Sequence, residues 1–155
     1  MSERLAEILE KYKNTIVAQL KSRIISDGKV ATGDLEKSIT GIVEGTSISI
    51  FASEYWYVVN YGRTPGKKMP PIRPIMEWMK IKGIVTNKVN KGGQPSKKGN
   101  RTLAWVIAKK IGEEGIQGTN FFWETINSIV PLITKDIEES YLKDINDQIN
   151  GNKKT

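Results

Sequence analysis

Apolar residues recur every three or four positions at Leu5, Ile8, Leu9, Tyr12, Ile16, Leu20 and Ile24, which predicts one long amphipathic helix over residues 3–26, ended at Asp27-Gly28. Thr32-Gly33-Asp34-Leu35 then opens a short capped turn, with Leu35 and Ile39 inward. The period changes to two at Ile48 and Ile50, which alternate with Ser47 and Ser49. This predicts strands at 39–43 and 47–51 around Glu44-Gly45-Thr46. A lone hairpin is marginal, so further strands are expected from Ile84-Val85-Thr86 with Val89, or from a neighbouring subunit.

Helical spacing returns at 54–61, a short aromatic helix carrying Tyr55, Trp56, Tyr57 and Tyr61 and stopped at Gly62. A second helix is predicted over 71–82, with Ile72, Ile75, Met76 and Met79 on one face and Gly83 as the stop. A third spans 101–114 on Leu103, Val106, Ile107 and Ile111. The last begins near Thr119 or Asn120 and continues through Phe122, Ile126, Ile129, Val130, Ile133, Ile137, Tyr141, Ile145 and Ile149. Pro131 interrupts it and predicts a kink or two helices meeting. Phe121, Phe122 and Trp123 are expected to anchor this helix on the core. The fold class is therefore α+β: long N- and C-terminal helices packed on a small antiparallel sheet, with additional short helices.

Residues 62–74, Gly-Arg-Thr-Pro-Gly-Lys-Lys-Met-Pro-Pro-Ile-Arg-Pro, join the aromatic helix to the next. Pro65 and Gly66 suit the two central positions of a type II turn, and Pro71 and Pro74 fall where a helix start needs no N–H partner. Such a stiff basic corner reads either as a contact surface or as a connector.

At 155 residues the chain is read as one domain over 1–150 with a disordered tail over 151–155. No apolar run approaches the roughly 20 residues of a membrane span, and no apolar signal core opens the sequence. A soluble, membrane-free protein made in the cytoplasm is expected. The absence of Cys and His removes disulfides, thiolate zinc sites, Ser-His triads and imidazole acid–base chemistry. No cofactor or metal is expected. The net charge of +7 is localised, because residues 80–101 hold seven Lys and Arg and no acid, leaving 17 basic residues against 17 acidic ones elsewhere. The glycine-rich stretch 83–100 reads as a flexible basic loop. It can meet DNA phosphates, meet an acidic protein face, or simply be solvated.

Motifs for chemistry are weak. Gly62-Arg63-Thr64-Pro65-Gly66-Lys67 fails as a phosphate loop on its glycine spacing, and Lys68 stands where Ser or Thr should bind Mg²⁺. Acid pairs at Glu113-Glu114, Asp136 with Glu138 or Glu139, and Asp144 with Asp147 read as solvated helix surface. Asp34 and Glu36 near Lys37 lack the strand context of a nuclease cluster. The rings at 55–61 read either as core or subunit contacts, or as stacking partners for single-stranded nucleic acid.

The order of three pieces resembles a known family: Thr32-Gly33-x-Leu35-x-x-Ser38-Ile39, then Tyr57-Val58-Val59-Asn60-Tyr61-Gly62, then Gly115-Ile116-x-Gly118-Thr119-x-Phe121-Phe122. Over roughly residues 5–137 the chain looks like the head–tail joining or tail-completion proteins of tailed bacteriophages. Residues 71–114 stand as an insert relative to that family. The resemblance implies a structural virion protein of the neck, without catalysis, in a six- or twelve-fold ring between portal or adaptor and tail proteins. On that reading Tyr55, Trp56, Tyr57, Tyr61, Arg63, Pro65, Lys67, Lys68 and Arg73 are expected to serve subunit or partner contact. Lys88, Lys91, Lys97, Lys98 and Arg101 are expected to face packaged DNA in the channel or an acidic partner. The alternative is a nucleic-acid-binding module using the basic loop and the nearby aromatics.

Overall fold

The computed structural model describes residues 3–27, 33–87, 89–94 and 96–151. The element order is α1 (Glu3–Ser26), α2 (Asp34–Ser38), β1 (Thr40–Glu44), β2 (Ser47–Phe51), α3 (Tyr55–Tyr61), β3 (Gly62–Arg63), α4 (Ile72–Ile81), α5 (Lys97–Glu114), β4 (Ile116–Gln117) and α6 (Phe121–Gly151). The fold is α+β, as the patterning predicts. Its contacts gather into two compact units, one containing α1, β1, β2 and α6, the other α3, β3, α4, α5 and β4.

In the first unit, α1 packs along α6 and against the β1–β2 hairpin. Leu5, Leu9, Tyr12, Ile16, Leu20 and Ile24 are all buried, so the periodic stripe is the face that the fold uses. Ion pairs fix an antiparallel register: Arg4 reaches Asp144 and Asp147 at 2.7 Å each, Lys11 reaches Asp136 at 2.9 Å, and Arg23 pairs with Glu124. Of the acids expected as solvated surface, Asp136, Asp144 and Asp147 therefore line the α1 seam, while Glu113, Glu114 and Glu139 stay exposed in pairs along their own helices. The two guanidinium bonds raise Arg4 further above its usual range. Asp136 also accepts from the buried Tyr12 hydroxyl at 2.9 Å. Its carboxyl is held below its usual 3.8 by the Lys11 and Tyr12 hydrogen bonds, while Lys11 is raised by the same contact. Burial, then the Asp136 bond, pushes the Tyr12 phenol up.

The hairpin pairs Thr40 with Phe51 through Glu44 with Ser47, closing on Gly45-Thr46 with Gly45 at φ 58°, the glycine-first pattern of two-residue turns. Gly41 lets the strand lie on α1: an added Cβ would sit 2.9 Å from Lys13 Cγ and 3.2 Å from Val17 Cγ2. The α2 turn leads into this hairpin, and Ser38 Oγ accepts the Ser53 N–H at 2.9 Å. Leu35 and Ile39 are buried as expected, whereas Thr32 lies outside the described residues.

α6 runs unbroken through Pro131, so the two-helix alternative does not occur. Phe121, Thr125, Ile129 and Ser140 are its buried positions. The expected aromatic anchor is narrower than three rings: Phe121 is buried, but Trp123 is 43% exposed. Tyr141, Ile145 and Ile149 are likewise open, because Ser140 and Asp144, one residue round the helix, take the α1 side.

In the second unit, α4 and α5 pack through Ile75 and Met79 against Ala104 and Ala108, flanked by Ile72, Trp78, Leu103, Ile107 and Ile111. Two inward assignments are corrected here. Met76 and Val106 face out, and Trp78 and the alanines take their places. The large-residue period misses a seam built of Ala104, Ala108 and Gly112, where small side chains let backbones approach. Among the described residues, Ile84, Val85 and Thr86 form none of the strand expected from them, and Val89 makes only an isolated bridge. Thr86 N–H instead donates to Asn100 Oδ1 at 2.7 Å, and the second sheet is made by β3 and β4, pairing Gly62 with Gln117 and Arg63 with Ile116.

Candidate docking surfaces

The sequence pieces around Tyr57–Gly62 and Gly115–Thr119 meet as β3 and β4, and each glycine there has a steric reason. A Cβ on Gly62 would lie 2.1 Å from Ile116 O, one on Gly115 2.1 Å from Arg63 O, and one on Gly118 2.4 Å from Asn60 O. Gly62 and Gly115 also hold φ near 75–78°, where a side chain is strained. Both end their helices, with Gly115 N–H donating to Ile111 O at 3.0 Å. Val59 O, one of the carbonyls a helix end leaves without an internal donor, accepts from Thr119 N–H at 3.0 Å and from Thr119 Oγ1 at 3.1 Å. The Gly-x-x-Gly-Thr piece is thus a clasp that closes α3.

The basic corner is fastened to the same place. Pro65 and Gly66 form the expected turn, with Gly66 at φ 73° and its N–H donating to Glu113 O at 3.3 Å. Lys67 and Met69 backbone atoms pass within 3.1–3.3 Å of where a Gly112 Cβ would be. Arg63 donates from its guanidinium to Lys68 O across the corner, a bond exposed at the surface. Pro65, Lys67 and Lys68 are exposed, and Arg73 is paired only loosely with Glu77 at 3.3 Å.

The clasp holds a group of rings at the surface. Trp56 meets Tyr57 edge-on at 6.1 Å and Tyr61 at 6.0 Å, and Tyr57 and Tyr61 lie 4.7 Å apart. Pairs at such distances contribute about 0.5–1.5 kcal/mol each, enough to order the rings without hiding them. Tyr55, Tyr57 and Tyr61 remain 55%, 59% and 48% exposed. The reading of these rings as core is therefore wrong for the tyrosines, while Val59 and Asn60 are the buried positions of α3.

The basic residues are placed differently from the expected flexible loop. Asn90 closes a turn, its Oδ1 accepting from Gly92 and Gln94 N–H at 3.0 and 3.1 Å, while Asn90 N–H donates to Gln94 O at 2.8 Å. Lys91 projects from that turn, and Lys88 lies outside the described residues. Lys97, Lys98 and Arg101 belong to the first turns of α5, which starts four residues earlier than the apolar period indicates. Ser96 caps it, Oγ accepting from Gly99 N–H at 3.2 Å. The serine cap was the available signal for that start, obscured by the surrounding glycines. Sequence reasoning also missed Trp105, which is 44% exposed on the same helix with Lys109 Nζ 5.6 Å from its ring centroid.

No protein-family model, curated protein or solved structure matches this chain. Among the described residues no helix is long and apolar enough to cross a membrane.

Proposed function

We propose that this chain is a non-enzymatic structural subunit of a tailed-bacteriophage virion, assembling as a ring in the neck between portal and tail. The observation that carries the reading is the cluster of half-exposed tyrosines on a helix whose end is locked by the Thr119–Val59 and β3–β4 contacts. Ordered aromatic side chains at the surface favour association, since they bury much area at a small entropic cost. A heterologous contact closes into a ring when its rotation fits, and this demands fixed surfaces of the kind the clasp provides. Motif order adds the phage neck to that general reading, with portal or adaptor and tail proteins as neighbours.

Light scattering on the purified chain tests it. The expected mass is near six or twelve times the 17.4 kDa of one copy. Tyr57→Ser combined with Tyr61→Ser should return the monomer with an unchanged circular dichroism spectrum. A wild-type chain that stays monomeric at its highest soluble concentration, alone and with portal and tail proteins, would refute the ring.

A further inference from the structure

We infer that the outer face of α5 is a binding site for single-stranded nucleic acid, with Trp105 stacking on a base and Lys98, Arg101 and Lys109 holding the backbone. Residues 78–112 contain nine Lys and Arg and no Asp or Glu. Folding concentrates part of that charge on one helix. Lys98, Arg101, Trp105 and Lys109 follow at i, i+3, i+7 and i+11, which puts them on one stripe, and all four are exposed. The side of the helix away from the stripe, which carries Leu103 and Ile107, packs with Ala104 and Ala108 into the core of its own unit. Between Lys98 and Lys109 the stripe is about 16 Å long, the reach of a few nucleotides.

Several features select this occupant. Among the described residues Lys97, Lys98 and Arg101 make no ion pair, so their charge faces solvent uncompensated. Lys109 has Glu113 only at 3.8 Å and rests on the Trp105 ring, free to swing to a phosphate. A second copy of the chain is disfavoured on this stripe, since its cations would meet like cations. A duplex offers phosphates but keeps its bases stacked, leaving the indole without a partner; an unpaired base supplies both halves of the match. The inference stands apart from the ring reading, because the aromatic contact there is on α3 and the one here on α5.

The test uses the full chain, a fluorescently labelled oligothymidylate of about 16 nucleotides, and a duplex of equal length. Binding of the single strand should be tight at low salt. Its log K should fall with log salt at a slope of roughly −3, from four cations (Lys97 included) at about −0.7 each. Trp105→Ala should weaken single-strand binding about tenfold and leave duplex binding unchanged, while Trp105→Phe restores most of the loss. Lys98→Ala with Arg101→Ala should flatten the slope by roughly 1.4. Trp105 is an outward residue, so a circular dichroism check separates lost stacking from lost folding. Absence of binding at low salt, or full binding by Trp105→Ala, would overturn the inference. Displacement by polyglutamate at equal charge concentration would also overturn it, in favour of an acidic protein partner. Mass measurement of Trp105→Ala keeps the two proposals separable, since ring formation should not change.

Discussion

Gly118→Ala is the sharpest probe of the clasp, because Gly118 is not held at positive φ and so the substitution adds a methyl group without left-handed strain. The new Cβ would stand 2.4 Å from both Asn60 O and Tyr61 C, and 2.6 Å from Gly62 N. All three are backbone atoms, so no side chain can swing aside. Ordinary contact begins at 3.4 Å, so the two segments must part by about 1 Å. The Thr119 N–H to Val59 O distance would then grow from 3.0 Å to about 4 Å, beyond hydrogen-bonding range, and the Oγ1 bond would go with it. Two lost bonds at about 1 kcal/mol each, with overpacking of about 1–3 kcal/mol, give a loss of roughly 3–5 kcal/mol. Urea unfolding followed by tryptophan fluorescence measures it, and amide exchange at Gly62, Arg63 and Thr119 locates it. Gly92→Ala is the control, since its nearest neighbour, Asn90 Oδ1, is 3.5 Å away. A Gly118→Ala chain within about 0.5 kcal/mol of wild type, with unchanged exchange at Thr119, would refute the reasoning.

Thr119→Val should cost about 1 kcal/mol in the same urea experiment, because it removes the Oγ1 bond to Val59 O and keeps the shape and the N–H bond. Ala108→Leu should destabilise by about 1–3 kcal/mol, since Ala108 has no exposed surface and packs with Met79 and Ile75. Pro131→Ala should stabilise the chain by about 1–3 kcal/mol, because the helix continues through an exposed proline that cannot donate to Asn127 O; a lower urea midpoint would contradict this. For Asp136, whose carboxyl titrates below its unfolded 3.8, the pairing is complete at neutral pH, and stability falls as acid protonates the unfolded chain first and then the native one. Asp136→Asn should therefore show a shallower loss of stability than wild type below about pH 4, read from urea midpoints across an acid series.

Elements whose signal is periodic were legible in the sequence. The α1 stripe from Leu5 to Ile24 reports the face that the fold buries, and the Ile48–Ile50 alternation reports a strand, which the structure pairs with β1 and leaves half-buried. What escaped depends on small residues or on partners distant in the chain. Ala104, Ala108 and Gly112 carry no hydrophobic periodicity that stands out, although Ala104 and Ala108 pack against α4 and Gly112 admits the backbone of Lys67 and Met69. The acids of α6 looked solvated because their cations lie more than a hundred residues away on α1. β3 and β4 are two residues each, too short for alternation to register, and only the glycines and Thr119 betray them.

The same distinction separates the two kinds of surface. Tyr57 and Tyr61 belong to a helix with Val58 and Val59 between them, a spacing equally suited to core and to contact, and exposure alone decides between these. Burying three tyrosines about half exposed in the monomer would remove a few hundred Å² of ring surface, at about 25 cal/mol per Å² a gain of several kcal/mol per contact. Much of that is offset by the entropy of association. A single such contact makes a weak dimer, whereas a closed ring gains one extra contact without a further loss of free translation. Tyr57→Ser alone should accordingly remove closed rings before it removes pairs, leaving small open oligomers whose mean mass falls steeply on dilution. A ring that merely loosened into a monomer–dimer mixture of unchanged dilution dependence would show that the α3 tyrosines are not the closing contact.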